Sequence, residues 1–444
     1  MYVDSLTIDN IRCFESLKIS FLRGTSARYK WVTLLGPNGC GKSTLLQSLA
    51  LLLAGPEGAQ NLPFRPIGWL RDESKLAKIG IRLHQSEHDP GQFGSESTRL
   101  TQSFAYSYSI VGSNPLSVSS KLYTEPAIVA NPQSKLTWLR KTAFTSTGKG
   151  WFGVGYGAFR RLTRKNQIIV PSLEPQARFT NFFTQFSEDE PLSAFERWMV
   201  YLDYRIAKIK DEDAKRQREI GITAINSLLP DGTRFDSVTA EGRILFDVGG
   251  SKVPTIGLSD GFRSVLALSG DLVWRLIQSF PDTTDPLREE GVVLIDELDI
   301  HLHPIWQRDI AQLLQEQFPN LQFIVSTHSP FIASGAGEDA MTLKFSMKGG
   351  QAIVDQILNI SALSVDDALR SIAFEQISPY SPKTQEKIDR YDSLLPKMDH
   401  LSKEEKKELK QLQLFVQEAR PFGGPPVPGS LEAKIDDYLG KNLQ

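Results

Sequence analysis

The chain has 444 residues, of which 40% are hydrophobic and 23% charged, and its formal net charge is −2. These values are typical of a globular protein with two or three packed units, and they exclude a general attraction to nucleic acid or acidic membranes. Two cysteines are too few for a disulfide framework, and no signal peptide is recognisable at Met1. The longest apolar stretch is shorter than the roughly 20 residues of a bilayer span. We therefore expect a cytoplasmic protein without a membrane partner.

The first part of the chain predicts strands around one helix. The opening YVDSLTIDNIRCFESLKISFL alternates apolar and polar residues in two runs, which predicts two half-buried strands. KWVTLLG (30–36) reads as an apolar strand ending in glycine, and a leucine-rich helix is predicted over 42–54. Between 61 and 170, the strand-like runs KIGIRL, SFAYSYSIV and WFGVGYGAF predict a β-rich subdomain.

The second half predicts a long helical pattern, two buried strands and a helical tail. Residues 192–229 have helical periodicity but are too few for a sustained coiled coil. GVVLIDELD and LQFIVSTHS are apolar, β-branched runs typical of parallel strands with both faces buried. In the polar tail, Ser402 followed by Glu405 predicts a capping box at a helix start.

GPNGCGKST fills the pattern G-x-x-x-x-G-K-[ST] between a predicted strand and a predicted helix. The glycines let backbone N–H groups surround a phosphate, and the following helix adds its positive end. Lys42 is expected to reach the β- and γ-phosphates, and the Ser43 hydroxyl to ligate Mg²⁺. The pattern predicts a nucleotide site formed by Gly36, Pro37, Asn38, Gly39, Cys40, Gly41, Lys42, Ser43 and Thr44.

Two acids end the run VVLIDELD. Asp296 could hold Mg²⁺, and Glu297 could orient and deprotonate an attacking water. The alternative is a pair of acids that caps the next helix. Downstream, FIVSTHSP ends a strand at His328, which could hydrogen-bond a γ-phosphate, although a single histidine there is more often structural.

The segment PTIGLSDGFRSV places Leu-Ser-x-Gly at the start of a predicted helix. By itself Ser259 could be an ordinary N-cap. The nearby HLHP could be considered a zinc site through His301 and His303, but no further ligand has a typical spacing.

The order of these motifs resembles the ATP-binding cassette ATPases, and within them the SMC/RecF branch, which includes Septu-type ATPases of bacterial defence loci. The segments that carry the resemblance are LTIDNIRCF, GPNGCGKST, GLSDGFRS, VVLIDELDIHLHP and IVSTHSP. The resemblance implies ATP and Mg²⁺ as cofactors, with Glu297, His328 and Lys42 as catalytic residues. It also implies a homodimer or higher homo-oligomer, in which Ser259, the Gly261 N–H and Asp299 complete the ATP site of the other subunit.

Two features depart from the family pattern. The Leu-Ser-x-Gly segment (258–261) corresponds to the signature motif of the family. Asp260, Phe262 and Arg263 are variant residues there and could weaken or retune the contact across subunits. The glutamine that links the metal site to the lobe interface in the family has no clear counterpart, with Gln85 and Gln167 as candidates.

The implied fold class is α/β, a P-loop NTPase of ABC/SMC-head type. It has a mixed sheet, a β-rich subdomain, an inserted helical lobe and a helical C-terminal extension. The predicted domains are an N-terminal ATPase lobe (1–170), a helical insertion lobe (171–250), a C-terminal ATPase lobe (251–345) and the extension (346–444).

Three functions remain open for an ATP hydrolase of this kind. The first is a regulatory ATPase whose ATP-gated, head-to-tail dimerisation controls a separate effector, expected to be a nuclease, in anti-phage defence. The second is a RecF-like repair ATPase that contacts DNA. The third, a transporter cassette, is the least favoured, because the region between the two nucleotide motifs is long.

FRRLTRK is the densest basic run and could contact nucleic acid, although such runs are usually solvated; its cations are Arg160, Arg161, Arg164 and Lys165.

Overall fold

The computed structural model describes residues 1–24, 27–86, 89, 103–112, 126–131, 134–145, 150–158, 177–187, 194–229, 232–358, 360–374, 378 and 380–419. The strands are β1 (Tyr2–Ile11), β2 (Phe14–Ser20), β3 (Leu22–Arg23), β4 (Ala27–Arg28), β5 (Trp31–Leu35), β6 (Ala77–His84), β7 (Ser103–Val111), β8 (Ala127–Ala130), β9 (Phe152–Tyr156), β10 (Thr233–Val238), β11 (Ile244–Val248), β12 (Ser251–Pro254), β13 (Gly291–Ile295), β14 (Leu321–Ser326), β15 (Met341–Lys348) and β16 (Gln351–Ile357). The helices are α1 (Lys42–Leu53), α2 (Pro56–Asn61), α3 (Ser134–Lys141), α4 (Ala194–Ile209), α5 (Glu212–Leu228), α6 (Asp260–Ser279), α7 (Pro304–Gln317), α8 (Pro330–Gly335), α9 (Val365–Arg370), α10 (Pro382–Leu394) and α11 (Lys403–Ala419). None of the described helices is long and apolar enough to cross a membrane.

A six-stranded mixed sheet, the core sheet, forms the centre of the first compact unit, Met1–Ala368. Its strand order is β16-β15-β5-β14-β13-β9, and only the pairing of β15 with β16 is antiparallel. Every residue of β5, β13 and β14 is buried. The two apolar runs predicted to be parallel strands are therefore confirmed, because helices and a second sheet cover both faces.

The core sheet separates two hydrophobic cores. Alternate residues of β13 belong to different cores, with Val292 and Leu294 on one face and Val293 and Ile295 on the other. The first face packs against α1 and a five-stranded antiparallel sheet of order β2-β1-β6-β7-β8. The second face packs against α6 and α7. This is the mixed α/β architecture that the motif order predicted.

One strand lies in a different sheet from the one predicted. WFGVGYGAF was assigned to the β-rich subdomain, but β9 within it pairs in parallel with β13 at the edge of the core sheet. All five residues of β9 are buried, including Gly153 and Gly155, against which a 3-10 segment (Arg178–Gln185) packs closely. Glycine leaves room for that segment. The antiparallel sheet thus contains β6, β7 and β8 but not β9.

Within its described residues, the predicted helical lobe (171–250) contains the helices α4 and α5 and also the strands β10 and β11. The pattern over 192–229 is interrupted at Lys210, whose φ is +53°, and Asp211 then caps α5 by accepting from the N–H groups of Asp213 and Ala214. Strands β10, β11 and β12 form a three-stranded antiparallel sheet next to this helical hairpin in sequence. The lobe is therefore not purely helical.

The C-terminal region begins with strands rather than helices. The predicted boundary at 345/346 falls within β15, because β15 and β16 form a hairpin that continues the core sheet. Contacts divide the chain later, between Ala368 and Leu369. The second unit, Leu369–Gln444, has its own core. In it the predicted capping box is confirmed, since Ser402 and Glu405 exchange backbone-to-side-chain hydrogen bonds.

Candidate nucleotide site

The glycine-rich loop has the tight geometry that its glycines predict. The loop connects β5 to α1, and a methyl group on Gly36 would lie 2.3 Å from the carbonyl oxygen of Phe345. At Gly41, which precedes α1 with φ +100°, a methyl group would lie 2.5 Å from the Phe14 ring. Only glycine fits these two positions. Gly41 has no side chain to cap α1, so the first N–H groups of the helix are available to an anion.

Lys42 holds its ammonium group inside the loop. Nζ donates to the carbonyl oxygens of Gly36 at 2.7 Å and Pro37 at 2.9 Å, and the residue is only 6% exposed. Phosphate oxygens would be alternative acceptors for this ammonium, and charged acceptors form the stronger hydrogen bonds. Cys40 is fully buried and its Sγ lies 2.8 Å from Pro37 O, which fits a small packing residue.

The two acids follow β13 directly and are tied to the end of β14. The Ser326 hydroxyl donates to Asp296 Oδ1 and accepts from the Glu297 N–H at 2.7 Å. Glu297 has φ +48°, a left-handed conformation that side chains rarely adopt. This conformation sends the two successive carboxylates in directions that extended backbone would not.

The loop after β14 fixes Asp299 and exposes His328. Asp299 Oδ1 accepts from the Thr327 hydroxyl at 2.6 Å and from the His328 N–H at 3.1 Å. The Thr327 N–H donates to Leu34 O of β5, so this loop is also joined to the P-loop strand. His328 is exposed. The Asp299 carboxylate is thus held within its own chain, and its predicted role in a partner's site stays a prediction.

These groups lie at the carboxyl ends of three adjacent strands of the core sheet. β5, β14 and β13 are adjacent parallel strands, so the residues that follow them lie side by side at their carboxyl ends. Lys42 and Ser43 come from the first, His328 from the second, and Asp296 with Glu297 from the third. The half-buried Ser43 hydroxyl and the Asp296 carboxylate are hard oxygen donors, which fit Mg²⁺.

A glutamine that the sequence interpretation missed lies near the same strand ends. Gln185 is 8% exposed, and neither its Oε1 nor its Nε2 has a hydrogen-bond partner in the described part of the chain. The side chain packs against Gly155 of β9, and its backbone oxygen accepts from Gln47, one turn after Ser43 in α1. A buried amide without a partner costs free energy, which makes Gln185 a better candidate for the missing glutamine than Gln85. Gln85 follows β6 of the antiparallel sheet, and Gln167 lies outside the described residues.

Arg12 is a second residue for which the sequence predicted no role. Its guanidinium lies 4.8 Å from the centre of the Trp69 ring, and Nη1 donates to the Thr44 hydroxyl at 3.2 Å. Partial burial lowers the pKa of Arg12. The guanidinium remains a cation at neutral pH and places a positive charge beside the first turn of α1.

The signature motif occupies a separate place on the chain. Ser259 is the N-cap of α6 and accepts from the Phe262 N–H at 3.4 Å, as the alternative interpretation expected. Gly261 packs against the loop after the acids, since a methyl group there would lie 2.8 Å from His301 O. Neither contact involves the P-loop. The Ser259 hydroxyl and the Gly261 N–H stand at a helix N-terminus, so their action on a partner's phosphate remains a prediction.

The predicted nucleic-acid run cannot be placed with these groups. Arg160, Arg161, Arg164 and Lys165 lie outside the described residues.

Comparison with known proteins identifies a family and several relatives. Residues 32–334 match the family described as "AAA domain, putative AbiEii toxin, Type IV TA system". The chain is 26% identical over 420 residues to "Septu protein PtuA" of Bacillus mycoides (strain KBAB4), covering 93% of this chain and 50% of that protein. It is 32% identical over 183 residues to "Retron Ec83 probable ATPase" of Escherichia coli, covering 41% of this chain and 32% of that protein. The chain therefore spans half or less of these two relatives.

Solved SMC heads are also similar to the chain. An SMC head bound to the C-winged helix domain of ScpA aligns with 82% of this chain and 99% of its own, at 13% identity and a TM-score of 0.48. The SMC head domain from Thermotoga maritima aligns at 15% identity and a TM-score of 0.43, covering 81% of this chain and 100% of its own. Both TM-scores are below 0.5, so the fold assignment rests on the strand order and the family match.

Proposed function

The chain belongs to the AAA-domain family matched by residues 32–334, and from this premise we propose that it binds ATP with Mg²⁺ and hydrolyses it to ADP and phosphate. The observation that carries the proposal is the convergence of Lys42, Asp296, Glu297 and His328 at the ends of three adjacent strands. The carboxyl ends of the strands are where ligands bind in open α/β sheets.

The residues would divide the work as follows. The Lys42 ammonium exchanges the two loop carbonyls for β- and γ-phosphate oxygens, and the N-terminus of α1 adds its positive end. Ser43 and Asp296, with Gln185 nearby, would hold Mg²⁺, which neutralises phosphate charge. Glu297 accepts a proton from the attacking water, and the exposed His328 ring donates to the γ-phosphate.

We further propose that two copies associate head to tail and complete each other's ATP sites. Ser259 and the Gly261 N–H would contact the γ-phosphate held by the partner's P-loop. Two apolar side chains near the motif support an interface here. Ile256 is 49% exposed and lies two residues before Leu258 of the signature. Ile305 is 59% exposed beside Trp306, whose ring packs 4.7 Å from that of Phe262. ATP would favour the closed dimer only while its γ-phosphate is present.

The biological role that the resemblance implies is control of a separate effector in anti-phage defence. The name of the Bacillus mycoides relative supports this assignment for the Septu type. We propose that the closed and open dimers differ in their affinity for that effector, which would be a nuclease on another chain.

A mixing experiment tests the ATPase and the head-to-tail arrangement together. Lys42→Ala removes the phosphate-binding ammonium, and Ser259→Arg blocks the signature; each variant alone should lack ATP turnover. A mixed dimer has one site with both defects and one site with neither, so turnover should recover when the two variants are mixed. The measurement is phosphate release at a fixed total concentration.

Two controls define the result. Ser381→Ala removes another serine N-cap, that of α10, and should keep full turnover, which separates loss of a cap from loss of the signature. Exchange of subunits is checked with differently tagged chains. If the exchanged mixture stays inactive while the wild-type chain hydrolyses ATP, either both sites must act together or the signature does not complete the partner's site, and the ATPase proposal stands in both cases.

A further inference from the structure

Tyr156 connects the loop that begins at Asp296 to α6, the helix that follows Ser259. It is the last residue of β9, and its backbone oxygen accepts from the Asp296 N–H at 2.8 Å. Its hydroxyl reaches the other way and donates to Asp271 Oδ2 at 2.9 Å. Asp271 lies in the middle of α6, the helix that begins after Ser259. One residue therefore joins the backbone of Asp296, through its own carbonyl oxygen, to the helix that follows the signature, through its hydroxyl.

The carboxylate that receives this bond is fully buried. Asp271 is 0% exposed, and Arg275, one turn later, donates to the same Oδ2 at 2.6 Å. Arg275 also donates to Asn181 Oδ1, and Asn181 Nδ2 donates to Gly153 O of β9 at 3.0 Å. These bonds attach α6 to β9 at two points along the strand, next to Tyr156 and next to Gly153.

This network attaches a helix to a strand at a cost in folding stability. Within the described part of the chain, Asp271 Oδ1 has no hydrogen-bond partner, although the atom is buried. A buried carboxylate with an unsatisfied oxygen costs free energy, and apolar residues of similar shape are often as stable or more so in such positions. Stability alone therefore does not explain a carboxylate here, whereas a directional connection between α6 and β9 does.

We propose that Tyr156 and Asp271 are positioning residues that couple the signature end of α6 to Asp296. The inference deepens the proposed function and rests on it. α6 has 20 residues and contains Ser259's helix start and Asp271 on one continuous element. When Ser259 engages the partner's ATP, a shift of α6 is passed through Asp271 and the Tyr156 hydroxyl to the Tyr156 carbonyl, which holds the Asp296 backbone. Closure of the dimer thereby sets the position of the metal carboxylate.

The test compares Tyr156→Phe and Asp271→Asn with Tyr106→Phe. Tyr106 is a matched control, because its buried hydroxyl also donates one hydrogen bond, to Leu52 O at 2.7 Å, outside the network. ATP turnover is measured across a Mg²⁺ titration, and ATP binding is measured separately with Mg²⁺ chelated. Tyr156→Phe should raise the Mg²⁺ concentration for half-maximal turnover about tenfold and lower the maximal rate about tenfold. Binding of ATP without Mg²⁺ should stay within about twofold of wild type, since Lys42 and the loop are untouched.

The double variant adds a second readout. If the two residues act through one hydrogen bond, Tyr156→Phe with Asp271→Asn should lose little more turnover than either single change. Tyr106→Phe should leave the Mg²⁺ dependence unchanged. Wild-type Mg²⁺ dependence and rate in both single variants would overturn the inference while leaving the proposed function intact. Absence of Mg²⁺-dependent turnover in the wild-type chain would contradict the proposed function, and the inference with it.

Discussion

At the scale of single residues, glycine in the P-loop (36–41) serves two needs, a positive φ and space for neighbouring atoms. Gly41 and Gly39 allow these two needs to be measured separately. Both have positive φ, +100° and +79°, but a methyl group on Gly39 meets no atom within 4 Å, whereas on Gly41 it meets Phe14 and Cys13. Gly39→Ala should lower the free energy of unfolding by about 1 kcal/mol through backbone strain alone. Gly41→Ala should lower it by about 3 kcal/mol, because overpacking adds to the strain.

The comparison is made by denaturant unfolding without nucleotide, so that phosphate binding does not contribute. Equal losses for the two variants would mean that Phe14 and Cys13 move aside easily and that the loop is not held by their packing.

The role of Glu297 in hydrolysis should be separable from ATP binding by one isosteric substitution. Glu297→Gln keeps the shape of the side chain but cannot accept a proton from water, so turnover should fall about a hundredfold or more. Binding should persist, and the closed dimer should accumulate in ATP, as measured by size-exclusion chromatography. Glu316→Gln, an exposed acid in α7 that accepts from Gln312, is the control and should behave as wild type. Wild-type turnover in Glu297→Gln would remove this residue from the base assignment.

At the scale of elements, the break between α4 and α5 contains one strained residue. Lys210 is exposed and has φ +53°, a conformation that glycine adopts without the strain of a side chain. Lys210→Gly should therefore raise the free energy of unfolding by about 0.5 kcal/mol, the relieved strain being partly offset by the flexibility of glycine in the unfolded chain.

Lys208→Gly supplies the control for that prediction. Lys208 is exposed in the last turn of α4, where the same substitution should lower the free energy of unfolding by about 0.5–1 kcal/mol. Thermal unfolding of both variants gives the comparison. Destabilisation by Lys210→Gly would show that the Lys210 side chain contributes more than its backbone strain costs.

The same break illustrates which elements the sequence could predict. The P-loop, the buried strands β13 and β14 and the capping box of α11 are encoded in contiguous residues, and all of them were predicted. The helical period continues through Lys210, and this hid the break, although Asp211 followed by two acids is a local signal for the start of a helix. The place of β9 is set by pairing with β13, which is distant in sequence, and two glycines weaken its own strand signal.

The candidate site likewise has residues that the sequence predicted and one residue that it did not. The residues at the strand ends follow recognisable motifs, and the structure brings Lys42, Asp296, Glu297 and His328 to one edge. Gln185 was missed because its motif-free 3-10 segment reaches that edge only by packing along β9. The only local hint was a glutamine after an aromatic, helix-like run, which by itself is too common to indicate a site.

At the scale of the whole molecule, the proposed assembly depends on the surface around the signature. Ile305 is 59% exposed at the start of α7, where an acid is compatible with the positive end of the helix. Ile305→Asp should therefore keep the stability of the monomer while placing a charge in the proposed interface, where desolvation opposes association. Leu358→Asp, at a site 72% exposed after β16, is the matched control.

Both substitutions are best measured in the Glu297→Gln background, in which ATP should hold the dimer closed. With Ile305→Asp the ATP-dependent dimer should weaken by at least about tenfold in dissociation constant, and with Leu358→Asp it should be unchanged, as followed by analytical ultracentrifugation. Equal dimerisation of the two variants would place the interface elsewhere on the chain. Loss of ATP-dependent association in both would point to a general effect of added negative charge, because the copies would then repel each other over their whole surfaces rather than at the signature.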